Sequence, residues 1–195
     1  AGRERPLRVG MTALALAFGM DTVAMALRAA ALGGALLNAF HDQLAVLAWA
    51  IVGLYLLLQL RYRVAVLGAL VSPLAFLLTL SSALVHAGSE TLPAELQSAL
   101  LPMHVALAFL GYAIFALAAC VSLVYLLQER QLKAKRRGLL RRMPSLETLD
   151  ELNYRFVAWG FALFTVGIVT GSLLAKATRG AFWAWEPVQI LAVLA

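Results

Sequence analysis

Apolar positions in this chain come in long unbroken runs separated by short polar or charged breaks, with no alternation of period two. The runs fall at about Leu7–Leu27, Leu44–Leu60, Val64–Val85, Met103–Leu127 and Phe156–Ala175, and a sixth opens at Pro187. Each complete run has about 17–25 residues, the length at which a helix of 1.5 Å rise per residue crosses the hydrocarbon core of a bilayer. Continuous apolarity argues for helices and against barrel strands. The pattern therefore predicts an all-α, polytopic transmembrane helix bundle with five complete spanning helices and the start of a sixth. It forms a single transmembrane domain over residues 1–195, without internal repeat or low-complexity linker. The first run has no small-residue cleavage pattern and is expected to stay in the membrane.

Composition agrees. Of the 195 residues, 63% are hydrophobic and 13% charged, against roughly 45–50% and about 25% in soluble domains; mean hydropathy is +0.85. The net charge of +6 does not point to nucleic acid, because the basic residues are distributed as membrane topology distributes them. Thirteen of the 16 fall on one side: Arg3, Arg5, Arg8, Arg61, Arg63, seven between Arg130 and Arg142, and Arg155. Arg28, Lys176 and Arg179 fall on the other. The positive-inside rule then puts the N-terminus in the cytoplasm, and loops 28–43, 86–102 and 176–186 outside. The expected location is a bacterial cytoplasmic (inner) membrane. A direct check is a single cysteine at Arg136 or Glu90 in a Cys120→Ala background. A membrane-impermeant maleimide on intact spheroplasts should label position 90 and spare 136; the reverse pattern would invert the topology.

One substantial loop, at about 129–153, lies on the cytoplasmic side. Within it Ser145 heads a stretch with Leu146, Leu149 and Leu152 spaced by three and acids between them. This pattern predicts a short helix at the membrane surface with Ser145 as N-cap, either a solvated connector or a docking site for a cytoplasmic partner.

Few side chains offer chemistry. The single Cys120 sits in an apolar run and reads as a core residue. With no CxxC or CxxCH, the chain cannot itself carry a covalently attached c-type haem. Asp21 lies within the first run, where an acid needs a polar partner. Gly167 and Gly171 form a GxxxG, with Gly160 on the same small face, and this pattern predicts close helix–helix packing. His41, His86 and His104 all lie at or beside outward loops, and imidazole is a ready ligand for haem iron. His104 follows Pro102, a residue suited to a helix first turn. Its helix face continues through Leu107, Ala108, Gly111 and Phe115, where the small Ala108 and Gly111 would let a flat cofactor come close. The tryptophan-rich outward loop, about 176–187, contains Phe182, Trp183 and Trp185. It reads either as an interfacial aromatic belt or as a platform for a large planar ligand, with Lys176 or Arg179 available to its carboxylates.

In order along the chain stand Leu96-Gln-Ser-Ala-Leu-Leu-Pro-Met-His104-Val, Leu110-Gly-Tyr112, Leu149-Asp through Tyr154-Arg155, Gly160-Phe161 to Gly171, and Trp183-Ala-Trp185-Glu-Pro187. Over about residues 40–195 this resembles the cytochrome c assembly protein family of haem-handling membrane proteins (the CcsA and CcmC type), most nearly its short HemX-like branch. The resemblance implies haem b held non-covalently at the outer face over the tryptophan-rich loop. His104 would be an axial ligand to the iron, and Trp183, Trp185, Glu186 and Pro187 would match the family's W-x-W-D-P-K-E core. Glu186 stands where the family has Asp, Val188 where it has Lys, Gln189 where it has Glu, and Leu191 where a further Trp is usual. His41-Asp42 replaces an aromatic and Glu, and a second outward histidine would lie beyond Ala195.

The function implied is that of an assembly factor or haem carrier, and not of an enzyme by itself. It would present haem to apocytochrome c among membrane lipid and other cytochrome c biogenesis subunits. Two alternatives stay open: a HemX-like regulator acting on a cytoplasmic haem-synthesis enzyme, and a structural subunit with a degenerate haem site.

Overall fold

The structure, a computed structural model, describes residues 5–31, 40–62, 64–85, 100–134 and 144–183. All of its elements are helices: α1 (Arg5–Ala31), α2 (Phe40–Tyr62), a 3-10 turn (Ala65–Leu67) running into α3 (Gly68–Leu84), α4 (Leu100–Lys133) and α5 (Leu146–Arg179). Five of its segments are long and apolar enough to cross a membrane, as the hydrophobic runs predict. The sixth run, from Pro187, lies outside the described residues.

The helix ends depart from the apolar runs. α4 and α5 have 34 residues each, about 50 Å of helix, well beyond the ~30 Å hydrocarbon core. They pair antiparallel along this length. At the polar ends, Ser122 Oγ donates to Asn153 Oδ1 at 3.1 Å and Gln128 Nε2 donates to the Pro144 carbonyl at 2.8 Å. Ser145 is the N-cap, its Oγ accepting from the Thr148 N–H at 3.2 Å, a contact that typically contributes about 1 kcal/mol.

The separate surface helix expected after Ser145 is absent; these residues are the first turns of α5. Nothing from Leu152 to Phe156 breaks the helix. Leu149 (0% exposed) and Leu152 (2%) are buried in the core, where their spacing of three seats them against the other helices. The connector expected at 129–153 therefore narrows to the residues between α4 and α5, of which 135–143 lie outside the described residues.

The core gathers Ile51, Tyr55 and Leu58 of α2, Leu67, Val71 of α3, Leu117, Val121 and Val124 of α4, and Leu149 and Leu152 of α5; Cys120 belongs to it, as expected. In lipid, helix association rests on packing and hydrogen bonds more than on the hydrophobic effect. Close backbone approach is therefore the main stabilising device between α4 and α5. A Cβ on Gly111 would sit 3.3 Å from the Phe164 backbone nitrogen, and one on Gly160 would sit 2.9 Å from the Phe115 ring.

α1 is joined to this body more loosely, through a few specific contacts. Phe18 stacks on Trp49 with centroids 5.4 Å apart. Trp49 Nε1 donates to Thr22 Oγ1 at 2.8 Å, and Tyr55 Oη to Met11 Sδ at 3.4 Å. Asp21 lines a cavity of about 570 Å³ between α1, α2 and α3, whose lining also includes Ser72 and Thr79.

A further anchor of α1 lies at the end of the bundle that also holds His104. Arg28 Nε is 2.7 Å from Asp42 Oδ1, and its guanidinium also reaches His41 Nε2. Ser82 Oγ of α3 donates to the His41 carbonyl at 2.6 Å. His41 and Asp42 are buried, so His41 joins three helices and is engaged by its neighbours.

Candidate haem-binding site

His104 lies in the first turns of α4, two residues after Pro102, where proline costs the helix no internal hydrogen bond. Antiparallel pairing sets the far end of α5 beside it. A carbonyl oxygen can only accept, so the 2.9 Å contact between His104 Nδ1 and the Gly167 carbonyl makes Nδ1 the protonated nitrogen. In the neutral ring the lone pair is then on Nε2, the arrangement of a metal-ligating histidine whose other nitrogen is held by a backbone carbonyl. Thr170 Oγ1 lies 3.3 Å from the same Nδ1.

The ring fits only because residue 171 is glycine. A Cβ there would lie 2.7 Å from His104 Cε1, well inside van der Waals contact. Gly167, by contrast, faces Ala108, whose Cα would be 3.6 Å from an added Cβ, an ordinary contact. The two glycines of the GxxxG thus do different work. Gly167 serves helix packing as the spacing predicts, and Gly171 makes room for the imidazole.

Beside His104 opens a cavity of about 460 Å³ between α4 and α5, bordered by Gln43 of α2 and by Trp183. That volume is within the range of ligand pockets, about 300–1,000 Å³. Ala108 and Gly167 give it a small-residue wall, and Phe109, Tyr112 and Phe164 an aromatic one. Tyr112 and Phe115 both meet the Phe164 ring edge-on, with centroids 5.0 and 5.9 Å away, so the wall is braced from behind.

Trp183 reaches the cavity because α5 stops sharply. Gly180 takes φ +76°, the left-handed conformation favoured at a helix end, and its N–H closes on the Lys176 carbonyl at 3.0 Å. Lys176 Nζ then lies 4.1 Å above the Phe182 ring, a cation–π contact that holds the turned segment.

His104 and Trp183, both picked out in the sequence, thus border one cavity. His41 does not join them, being tied to Arg28 and Asp42. Trp185, Glu186, Pro187 and His86 lie outside the described residues. Phe109, Tyr112, Phe164, Gln43 and Thr170 complete the site; of these only Tyr112 was quoted in the sequence, as part of the Leu110-Gly-Tyr112 motif and without a site role.

Among the described residues no group of three or more His, Cys, Asp or Glu could hold a bare metal ion. One anchored imidazole beside an aromatic cavity suits instead a metal that brings its own equatorial ligands in a flat ring. In that respect the residues present fit haem.

A family model described as Cytochrome C assembly protein matches residues 37–195. The chain belongs to the cytochrome c assembly protein family. The matched residues hold α2 to α5, His104 and Trp183, while α1 precedes them. Among relatives in this family, the cytochrome c biogenesis protein CcsA of Chlamydomonas reinhardtii is 29% identical over 167 residues, covering 81% of this chain and 46% of its own length. CcsA of Porphyra purpurea is 27% identical, covering 81% of this chain and 62% of its own. Protein HemX of Brevibacillus brevis is 36% identical over 134 residues, 68% of this chain and 49% of HemX. The chain thus spans about half to three-fifths of the length of these relatives. No solved structure matches it.

Proposed function

We propose that this multi-pass membrane protein is a haem-handling factor of cytochrome c biogenesis, holding haem b non-covalently at the outer end of α4 and α5 and presenting it to apocytochrome c. The observation that carries this reading is the 2.9 Å contact of His104 Nδ1 with the Gly167 carbonyl, which leaves Nε2 of the neutral ring as the ligand nitrogen, on a side chain that borders an aromatic-walled cavity. His104 would be the axial ligand and Trp183 a stacking surface, with Trp185, Glu186 and Pro187 sharing in haem binding as the family resemblance implies. Lys176 would be a cation for the propionates. Haem, when bound, supplies the vinyl groups to which the partner's cysteine thiols add. This chain's residues hold and orient; they are not assigned bond-making steps, and the protein acts as a carrier with other biogenesis subunits in the bacterial cytoplasmic membrane.

The test is a haem titration of the purified chain in detergent, read at the Soret band. Trp183→Ala should weaken haem affinity roughly two- to tenfold, the effect of losing a contact of about 0.5–1.5 kcal/mol, without moving the band, because stacking does not coordinate iron. A moved band with unchanged affinity would take Trp183 out of the stacking role. If no haem binds, the favoured function is regulation of a haem-synthesis enzyme, with the basic residues between Arg130 and Arg142 as the docking surface. Their run, which begins in the last turn of α4 and continues in sequence toward α5, and the HemX relative support that second reading.

A further inference from the structure

An imidazole ligand needs the correct tautomer and a fixed ring, and α5 supplies both through residues that never reach the ligand position. The Gly167 carbonyl accepts from His104 Nδ1–H at 2.9 Å. Thr170 is buried, and its Oγ1 lies 2.9 Å from the Gly167 carbonyl and 3.0 Å from the Val166 carbonyl. The hydroxyl has a single proton, which must go to one of these carbonyls because neither can donate. Its lone pairs are then what it offers to His104 Nδ1–H at 3.3 Å. Meanwhile the open space at Gly171 fixes where the ring can lie.

We infer that Thr170 is a positioning residue for His104: together with the Gly167 carbonyl it holds the ring as the Nδ1–H tautomer, makes Nε2 a more basic ligand, and lowers the reduction potential of the iron it binds. The chemistry is general. Acceptors on the outer N–H of a ligating histidine raise its basicity, and hydrogen bonding around an axial ligand is one of the levers a protein has on iron potential. A more basic imidazole stabilises ferric over ferrous iron. The inference about potential rests on the haem-site reading above; the inference about tautomer does not.

The experiment uses the full chain in detergent, with haem b as probe for one arm and ¹⁵N-histidine labelling of the haem-free protein for the other. The His104 signals are assigned by their absence in His104→Ala. Wild type should show the Nδ1-protonated pattern with a slowly exchanging N–H. Thr170→Val keeps the shape and removes the hydroxyl. It should speed exchange of that proton several-fold and raise the haem midpoint potential while haem still binds. Thr170→Ser should restore both wild-type values; should the valine variant not fold, Thr170→Ala carries the same expectations.

Wild-type exchange and potential in a folded valine or alanine variant would reduce Thr170 to packing. A serine variant that behaves like valine would remove the hydroxyl as the cause. An Nε2-protonated His104 in the haem-free wild type would overturn the inference outright. If wild type takes up no haem, the haem-site reading fails while the tautomer arm still decides the role of Thr170.

Discussion

His104→Ala should lower haem affinity by on the order of 100-fold or more, and the residual complex should show a shifted Soret band. The magnitude follows from comparison: losing even an outer partner of a metal ligand typically costs 10–100-fold, and here the ligand itself is removed. The cavity does not depend on this one side chain. Phe109, Tyr112, Phe164 and Trp183 would still border it, so imidazole added to the buffer should restore part of the band by filling the vacated space. His86→Ala should leave the spectrum unchanged, since the proposed site is built on His104. His41→Ala should likewise leave the band position intact, because His41 is tied to Arg28 and Asp42 and does not border the cavity. An unchanged spectrum in His104→Ala would exclude it as the axial ligand.

Much of this architecture was legible in the sequence because bilayer physics writes itself as run length. The five helices follow from five apolar stretches. Their ends did not, because α4 and α5 continue past the apolar runs on side-chain contacts such as that of Gln128 with the Pro144 carbonyl, which sequence pattern does not show. The three-spaced leucines after Ser145 show the same problem. Local pattern describes an amphipathic helix at a surface, and only the antiparallel partner turns Leu149 and Leu152 into core.

At the site, His104 and Trp183 stood out because imidazole and indole are scarce here. Phe164 did not, since an aromatic in an apolar run looks the same whether it walls a cavity or faces outward, as Trp159 and Phe161 do at 66% exposure each. Thr170 was hidden for a related reason. A helical threonine commonly bonds back to its own preceding turn, and Thr170 does so to Val166 while also meeting His104. The cluster of Arg28, His41 and Asp42 needed the end of α1 to be brought against the start of α2.

The glycine face gives the second large effect, with opposite signs at two positions four residues apart. Gly167→Ala adds a methyl in ordinary contact with Ala108 and replaces a poor helix former by the best one, so thermal stability in detergent should stay level or rise by up to about 1 kcal/mol. Gly171→Ala places its methyl 2.7 Å from His104 Cε1. Either the ring leaves the Gly167 carbonyl or α4 and α5 separate, and overpacking of this kind costs about 1–3 kcal/mol. Haem affinity should fall with it, since the displaced ring no longer has its Nδ1 anchor. The double variant Gly171→Ala/His104→Ala separates this cause from a general intolerance of the helix face. With the ring gone the methyl has space, so the two substitutions should be less damaging together than their sum, by at least about 1 kcal/mol, within the range of coupling between residues in contact. Strict additivity would mean that the methyl is resisted by something other than His104, and the role of Gly171 as the space for the imidazole would have to be abandoned.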